Sequence, residues 1–196
     1  MTDNILLHRK ELIILAAIEV INEFGVLGFS TKEVSKRVGI SEPAIFKHFK
    51  TKSELLHAVL ELFSHYDLDV IHSIRAKKLK AIESLHQFIN TYATYYENYP
   101  AITELTQSFE DFRRDPNFTD KIQEILQTRK SFLIELIEQG MSSGELRADI
   151  NSEYLAVTIL GMEREWCLSW RFSGHIYSLK EKITSTLNLL MQLSKR

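Results

Sequence analysis

Residues 30–52 constrain the fold more than any other segment, because they predict two short helices joined by a tight turn. Ser30 takes the N-cap position of the first helix, and Glu33 three residues later completes a capping box. Gly39 follows this helix and can adopt the left-handed conformation in which many helices end. Ser41 then caps the second helix. Two helices connected in this way form the helix-turn-helix geometry that fits a DNA major groove.

The second of these helices is predicted to have one buried face and one exposed face. Pro43 lies in its first turn, where the missing N–H costs little. The apolar side chains predicted to pack inward are those of Val34 and Val38 on the first helix and those of Ile45, Phe46 and Phe49 on the second. The side chains left for solvent or phosphate are those of Lys47, His48 and Lys50. The polar face is therefore the one that a nucleic acid could reach.

Positive charge is concentrated around the same segment. The whole chain has a formal net charge of −2, but residues 1–52 hold eight Lys and Arg against six Asp and Glu. The remaining residues hold sixteen against twenty. Six cations lie within 21 residues, namely Lys32, Lys36, Arg37, Lys47, Lys50 and Lys52. A run of charges is usually a solvated helix face, but cations that surround a helix-turn-helix are placed where phosphates approach. The cluster therefore favours contact with DNA.

A longer set of short motifs runs through this region. In chain order these are Ala16-Ala17, Phe24-Gly25, Gly28-Phe29-Ser30, Val34, Gly39-Ile40-Ser41, Ile45-Phe46-Lys47-His48-Phe49 and Lys52-Ser53-Glu54-Leu55. Over roughly residues 9–56 they resemble the DNA-binding domain of the tetracycline-repressor (TetR) family of bacterial regulators. The resemblance implies a three-helix DNA-binding domain over residues 1–52, followed by a helical effector-binding and dimerisation domain over residues 53–196.

The resemblance and the exposed face together imply a set of DNA contacts. The residues in this set are Ser30, Thr31, Lys32, Ser41, Glu42, Pro43, Ala44, Lys47, His48 and Lys52. Lys47 is the candidate for reading guanine, Ala44 for contacting a thymine methyl group and Glu42 for accepting from cytosine. Lys52 matches the family's lysine at the start of the next helix and is expected to hold a phosphate.

The chain departs from the family pattern at two points of the second helix. It carries Pro43-Ala44 where relatives carry Gly-Thr, and Phe46 where they carry Tyr. Each departure removes a hydroxyl group that often meets a phosphate in relatives. Those two contacts are therefore not transferred to this chain.

The composition predicts an all-α fold. Three prolines, at positions 43, 100 and 116, interrupt a chain of 196 residues, and 44% of the residues are hydrophobic. About nine helices are predicted, over residues 8–24, the two helices of residues 30–52, and residues 53 to the seventies, 78–99, 101–112, 119–141, 152–172 and 179–194. The lone Cys167 excludes an internal disulfide framework and suits a reducing compartment. No apolar run approaches the roughly 18 residues needed to span a membrane, and no secretory leader is apparent, so a cytoplasmic location without membrane contact is expected.

The last two helices predict a surface that pairs with a second copy of the chain. Their apolar residues recur at helical spacing and cover more than one face. The residues predicted for this interface are Leu155, Ile159, Met162, Trp166, Ile183, Leu187 and Leu190. The alternative is that they pack only against their own domain. By resemblance the C-terminal helices dimerise, and a two-fold dimer would read a palindrome.

Aromatic and polar residues of the second domain are candidates for an effector pocket. The residues in this set are Tyr92, Tyr95, Tyr96, Tyr99, Glu104, Gln107, Phe109, Arg129, Phe132 and Glu163. Aromatic side chains at helical spacing are often core residues, and this alternative stays open. A mostly apolar pocket with a few polar groups would suit an apolar or amphipathic small molecule.

The sequence gives no support for catalysis, a metal or a cofactor. His65 and His72 lie two turns apart on a helix, about 10 Å along its axis, which is too far for both to bind one ion unaided. The chain has no HExxH, Walker-type or GxSxG motif. Cys167 lies between Trp166 and Leu168, where a buried inert thiol is expected.

The sequence therefore predicts a ligand-responsive, sequence-specific DNA-binding regulator that is not an enzyme. Its expected partners are double-stranded DNA, a second copy and a small-molecule effector, and repression of a palindromic operator is the favoured activity. Two alternatives remain. One is an architectural or division-linked DNA-binding protein of the same fold without a metabolite ligand. The other is a helical ligand-binding or protein-binding module that has lost DNA binding.

Overall fold

The computed structural model describes residues 2–112 and 116–195, with the backbone alone at residues 2–8 and 117. This part of the chain contains ten α-helices and no β-strand, which confirms the all-α prediction. In chain order the helices are α1 (Thr2–Phe24), α2 (Thr31–Val38), α3 (Glu42–Ile45), α4 (Lys52–Lys77), α5 (Ala81–Asn98), α6 (Ala101–Gln107), α7 (Phe109–Phe112), α8 (Pro116–Ser142), α9 (Ser152–Phe172) and α10 (Leu179–Ser194). None of the described helices is both long enough and apolar enough to cross a membrane.

The helices form two compact units. The first unit comprises Met1–Ser64 and Ala101–Ile122, and the second comprises His65–Pro100 and Gln123–Arg196. Helices α4 and α8 each contribute residues to both units. The domain boundary predicted after Lys52 stays a prediction.

The first unit is built around α1, which packs on α2 and α6, while α2 packs on α3. Helix α1 begins earlier than the predicted residue 8 and ends before Gly25, whose φ of 69° is left-handed. The wholly buried apolar side chains of this core include Ile13, Ala17, Ile21, Val34, Ile45, Phe49, Leu55 and Val59. Burial of these residues holds the helix-turn-helix segment on α1.

The number of helices differs from the prediction of about nine. The segment predicted as one helix over residues 101–112 is divided at Ser108 into α6 and α7. The Ser108 hydroxyl donates to Glu104 Oε1 at 3.0 Å, and the Ser108 carbonyl accepts from Asp111 N at 3.0 Å. Serine offers such local alternatives to the helical ladder, which explains the break.

In the second unit, α10 packs on α5 and on α9. Helices α9 and α10 have the bounds that the sequence predicted. Each begins at a side-chain cap: Asn151 Oδ1 accepts from Tyr154 N at 2.9 Å, and Ser178 Oγ accepts from Glu181 N at 3.1 Å. These caps satisfy N–H groups that the first turn of a helix leaves without partners.

Candidate nucleic-acid interface and buried ionic cluster

The turn between α2 and α3 depends on Gly39. Its backbone lies at φ 72° and ψ 34°, in the left-handed region that favours glycine. Ile40 N donates to Ser35 O at 3.0 Å and Gly39 N to Lys36 O at 3.2 Å. This pair of hydrogen bonds is a Schellman motif, which ends α2 sharply and lets α3 begin at Glu42 after three intervening residues.

The start of α2 uses half of the predicted capping box. Ser30 Oγ accepts from Glu33 N at 3.4 Å. The Glu33 carboxylate does not return to Ser30, because it pairs with Lys36 Nζ at 2.6 Å. Ser30 therefore caps α2 alone.

Helix α3 is only four residues long, and its cap differs from the prediction. Ser41 has the extended backbone of an N-cap, and its carbonyl accepts from Ala44 N at 2.9 Å. Its side chain makes no capping hydrogen bond. Pro43 occupies the first turn, as predicted. The Ser41 hydroxyl is exposed to solvent instead of being used in the cap.

A hydrogen bond joins the beginnings of α2 and α3. Thr31 Oγ1 donates to Glu42 Oε1 at 2.6 Å. Thr31 is buried and Glu42 is half-buried, so this contact fixes one helix against the other. The carboxylate expected to meet a cytosine is thus already engaged with Thr31 in the free protein.

The predicted DNA-contact residues differ in exposure. Those that are exposed are Lys32, Ser41, Pro43, Lys47 and Lys52, and those that are half-buried are Ser30, Glu42, Ala44 and His48. Lys52 Nζ donates to the Phe29 carbonyl at 2.6 Å and lies 5.4 Å from the Phe29 ring centre. The charge of Lys52 is therefore held beside the start of α2.

Phe46 differs from its predicted place on the apolar face. Ile45 and Phe49 are wholly buried, but the Phe46 side chain is 43% exposed. It follows Ile45 directly, and successive residues of a helical turn point in different directions. Phe46 and Lys47 are thus both presented to solvent after α3, and the surface combines an aromatic ring with a cation.

The second unit contains a buried ionic cluster on α4, α5 and α8. Arg129 Nε and Nη2 each donate to an Asp67 carboxylate oxygen at 2.8 Å, and Arg129 Nη1 donates to Tyr96 Oη at 2.8 Å. Tyr92 Oη also donates to Asp67 at 2.7 Å, and its ring centre lies 4.1 Å from the Arg129 guanidinium. Burial opposes the charge of Arg129, but Tyr96, Tyr92 and Asp67 together raise its pKa.

Glu163 on α9 belongs to the same electrostatic environment. Its side chain is 5% exposed. Burial raises the pKa of the Glu163 carboxyl to about 7, while Arg129 lowers this pKa and Asp67 raises it further. Cys167, one turn along α9, is a buried thiol whose pKa is raised by burial and by the Glu163 charge. A thiol in this state is unreactive.

Sequence reasoning identified Arg129 and Glu163 but missed Asp67. All three occupy helix positions where the apolar repeat calls for a hydrophobic residue. Asp67 falls between Phe63 and Ile71, Arg129 between Ile125 and Leu133, and Glu163 between Ile159 and Cys167, all buried. A charge at the centre of an apolar stripe was the signal that could have found the cluster.

The residues predicted for an effector pocket fall in both units. Tyr92, Tyr95, Tyr96, Tyr99, Arg129, Phe132 and Glu163 belong to the second unit, and Glu104, Gln107 and Phe109 to the first. Tyr92 and Phe132 each pack edgewise on Phe88, with ring centres 4.9 Å and 5.2 Å away. These rings are core residues of the second unit.

A surface groove of about 540 Å³ lies along α5 in the second unit. Its lining residues are Tyr66, Gln87, Asn90, Thr91, Thr94, Tyr95 and Asn98. Tyr95 stacks on Tyr66 with ring centres 4.4 Å apart, and burial raises the pKa of Tyr95 to about 12. The groove thus presents uncharged polar groups and aromatic edges.

Most residues predicted for a dimer interface are needed inside the protomer. Leu155, Ile159, Ile183 and Leu187 are buried in the chain itself, and Met162, Trp166 and Leu190 are half-buried. Trp166 Nε1 donates to Thr186 Oγ1 at 2.9 Å, which joins α9 to α10. These apolar side chains face inward because they pack the two helices on their own unit.

A different apolar stripe on α9 and α10 is exposed. Its members are Val157, Leu168 and Phe172 on α9 and Leu189 and Leu193 on α10. Gly161 lies between Val157 and Leu168, and a Cβ added there would meet no atom within 4 Å. This outer stripe adds exposed apolar surface to the half-buried Met162, Trp166 and Leu190, and the predicted interface stays a prediction.

The described side chains include no group of three or more His, Cys, Asp or Glu residues placed to bind a metal ion. Two features of the described residues could take part in function: the cationic surface of the helix-turn-helix and the buried ionic cluster.

Two family models match the chain. The model for bacterial regulatory proteins of the tetR family matches residues 13–59, and the model for the C-terminal region of YsiA-like proteins matches residues 65–193. The helix-turn-helix segment lies within the first match, and the ionic cluster lies within the second.

Relatives match most of the length of the chain. The chain is 26% identical over 184 residues to a fatty acid metabolism regulator protein of Bacillus subtilis, covering 91% of this chain and 92% of the relative. It is 20% identical over 163 residues to the nucleoid occlusion factor SlmA of Vibrio cholerae, covering 82% and 83%.

Among solved structures, the chain is similar to the transcriptional regulator FadR from Bacillus subtilis in complex with stearoyl-CoA. The TM-score is 0.79 at 25% identity, covering 92% of this chain and 97% of that one. The match of the family models, the relatives and the fold leads to one conclusion. The chain belongs to the TetR family, whose members are DNA-binding transcriptional regulators and not enzymes.

Proposed function

We propose that this regulator is a repressor that binds a palindromic operator as a homodimer and leaves it when a small amphipathic effector binds. The observation that carries the proposal is the helix-turn-helix geometry of the first unit. Gly39 ends α2, Thr31 fixes the start of α3 through Glu42, and Lys47 is presented to solvent directly afterwards. A short recognition helix with an exposed cation suits entry into a major groove.

The proposed contacts are of two kinds: contacts to phosphates, which position the protein on DNA, and contacts to bases, which read the sequence. Lys32 and Lys52 flank the motif and would hold phosphates, which contributes affinity without sequence preference. Lys47 would read guanine, and the exposed ring of Phe46 would contact sugar or a thymine methyl group. Glu42 would leave Thr31 only if a cytosine amino group replaced that hydrogen bond.

The role of Lys47 gives a direct prediction. Lys47→Ala is expected to weaken binding to the preferred site by about 1–3 kcal/mol and to relax selectivity at one base pair of each half-site. Fluorescence anisotropy with single-base variants of the site measures both effects. Lys180→Ala, at an exposed lysine of α10, is the control and is expected to change neither. Unchanged affinity and selectivity in the Lys47 variant would remove Lys47 from the reading surface.

The proposed dimer would form through the outer stripe of α9 and α10. Val157, Leu168, Phe172, Leu189 and Leu193 expose large apolar surface, and the small Gly161 allows close approach of a partner helix. Exposed apolar patches of this kind mark interaction sites. An isologous interface on this face would give the two-fold symmetry that a palindrome mirrors.

A long-chain acyl-CoA is the proposed effector class. Support comes from the similarity to a regulator whose structure contains stearoyl-CoA and to a fatty acid metabolism regulator. Such a molecule combines an apolar chain with a polar head group, in agreement with the amphipathic effector expected from the sequence. An effector that binds one conformation better than another shifts the population toward it.

The proposal is tested by selecting bound sequences from a random DNA library with the purified full chain, followed by release from the selected site. A palindrome is the expected product of selection. Stearoyl-CoA is then expected to release the DNA, whereas coenzyme A without the acyl chain is not. Recovery of no sequence by a folded protein would contradict DNA recognition. A palindrome that stearoyl-CoA does not release would contradict the effector class alone.

A second candidate function rests on the similarity to a nucleoid occlusion factor at 20% identity. In that case the chain would act through occupancy of many chromosomal sites, without a metabolite. Broad occupancy that no acyl-CoA reverses would favour this candidate over the repressor.

A further inference from the structure

The Glu163 carboxyl group of α9 lacks the partners that a buried charge requires. Its side chain is 5% exposed, and its Oε1 atom has no hydrogen-bond partner among the described residues. A buried ionised carboxylate is unfavourable unless it is paired and hydrogen-bonded. The group therefore needs either a compensating cation or a proton.

The nearby cation is already engaged by another carboxylate. Arg129 donates two hydrogen bonds of 2.8 Å to Asp67 and a third of 2.8 Å to the Tyr96 hydroxyl. Asp67 is 1% exposed and also accepts from the Tyr92 hydroxyl. The buried set thus contains two carboxyl groups and one guanidinium group. If both carboxyl groups are ionised, one negative charge is left uncompensated.

The groups that act on Glu163 come from the surrounding helices. Arg129 of α8 favours its ionised form, and Asp67 of α4 opposes it, but burial is the largest influence. Burial raises the pKa of Tyr96 of α5 and of Cys167 of α9, and the Glu163 charge raises both further. Their hydroxyl and thiol groups stay neutral and supply no compensating charge.

We propose that Glu163 is a proton-binding site inside the second unit, whose carboxyl group holds a proton in the folded protein and releases it as the pH rises. With the proton bound, Asp67, Arg129 and Glu163 together carry no net charge. After the proton leaves, a negative charge remains in the core and the second unit is less stable. This inference goes beyond the proposed function and does not rest on it.

The direction of the pH effect follows from the two states of the chain. In the unfolded chain Glu163 has an ordinary pKa of 4.5, and in the folded chain its pKa is about 7. Between these values the folded state binds more protons than the unfolded state. The stabilisation is therefore complete below the lower value and is lost as the pH rises through the upper one.

The test compares urea unfolding of the full chain and of Glu163→Gln from about pH 5 to about pH 8. Glutamine copies the shape of the protonated carboxyl group and cannot lose a proton. The folding equilibrium constant of the natural chain is expected to fall roughly 10- to 100-fold more over this range than that of Glu163→Gln. All seven histidines are common to both proteins, so their titration cancels in the comparison. Glu165→Gln, at an exposed residue of the same helix, is the matched control and should follow the natural chain.

A second measurement detects the bound proton directly in the natural chain. Infrared spectra of the natural chain with isotope-labelled glutamate should show a protonated carboxyl band that disappears as the pH rises through about 7, the range given for Glu163. A band of this kind that is absent from Glu163→Gln would assign the proton to Glu163. Parallel pH profiles for both proteins, or no protonated glutamate above about pH 6, would overturn the proposal.

Discussion

Arg129→Met is expected to lower the free energy of unfolding by about 3–5 kcal/mol. The substitution removes the guanidinium group that donates twice to Asp67, and Asp67 is 1% exposed. The carboxylate would keep its hydrogen bond from Tyr92 but lose its counter-ion inside the core. Urea unfolding at neutral pH, followed by circular dichroism, measures the loss.

Arg75→Met provides the matched control in the same unit. Arg75 pairs with Glu135, but both side chains are exposed, at 53% and 38%. An exposed ion pair contributes only about 0–1 kcal/mol, because water screens the charges. If Arg129→Met lowered the free energy of unfolding by no more than Arg75→Met does, the ionic cluster would not be what stabilises the second unit. The double variant Asp67→Asn/Arg129→Met should recover part of the loss, since residue 67 is then no longer an unpaired buried charge.

Leu189→Glu combined with Leu193→Glu is expected to convert the proposed dimer into the 22.8 kDa monomer. Both leucines lie on the outer stripe of α10 and are 54% and 66% exposed, so the substitutions should leave the protomer folded. Two charges on each copy would have to be buried at an isologous contact, which is strongly unfavourable. Light scattering measures the mass, and circular dichroism checks the fold.

Loss of the dimer should also reduce operator binding. A dimer that engages both half-sites gains about 10²- to 10⁴-fold over a single half-site contact. The monomeric variant is expected to lose affinity by a factor of this size. Leu126→Glu, at a leucine of α8 that is 48% exposed, tests whether any exposed leucine has the same effect. A Leu189/Leu193 variant that remained dimeric would place the interface elsewhere.

Local chemistry was sufficient to predict the helix-turn-helix. Ser30, Gly39 and Pro43 act on their own backbone or on residues within one turn, and the structure places each where the sequence predicted. The same holds for the beginnings of α9 and α10, which Asn151 and Ser178 cap. Such signals can be interpreted from the sequence because their partners are three to five residues away.

Which apolar stripe faces inward was decided by tertiary packing. Leu155 and Ile159 are buried, while Val157 and Leu168 on the same helix are exposed. Both sets recur at helical spacing, so periodicity alone could not distinguish core from surface. The inward direction depends on which neighbouring helices cover α9. Packing within the first unit likewise left Phe46 exposed after α3.

The amino-acid sequence by itself thus determined the helical class, the bounds of α9 and α10 and the DNA-binding motif. Tertiary structure alone brought Asp67 to Arg129 across 62 residues and placed Glu163 beside them, with no partner for its Oε1 among the residues that the structure describes. This difference arises because a cap or turn is stabilised by groups that the chain holds close together, whereas a buried ion pair exists only where separate helices meet and exclude water.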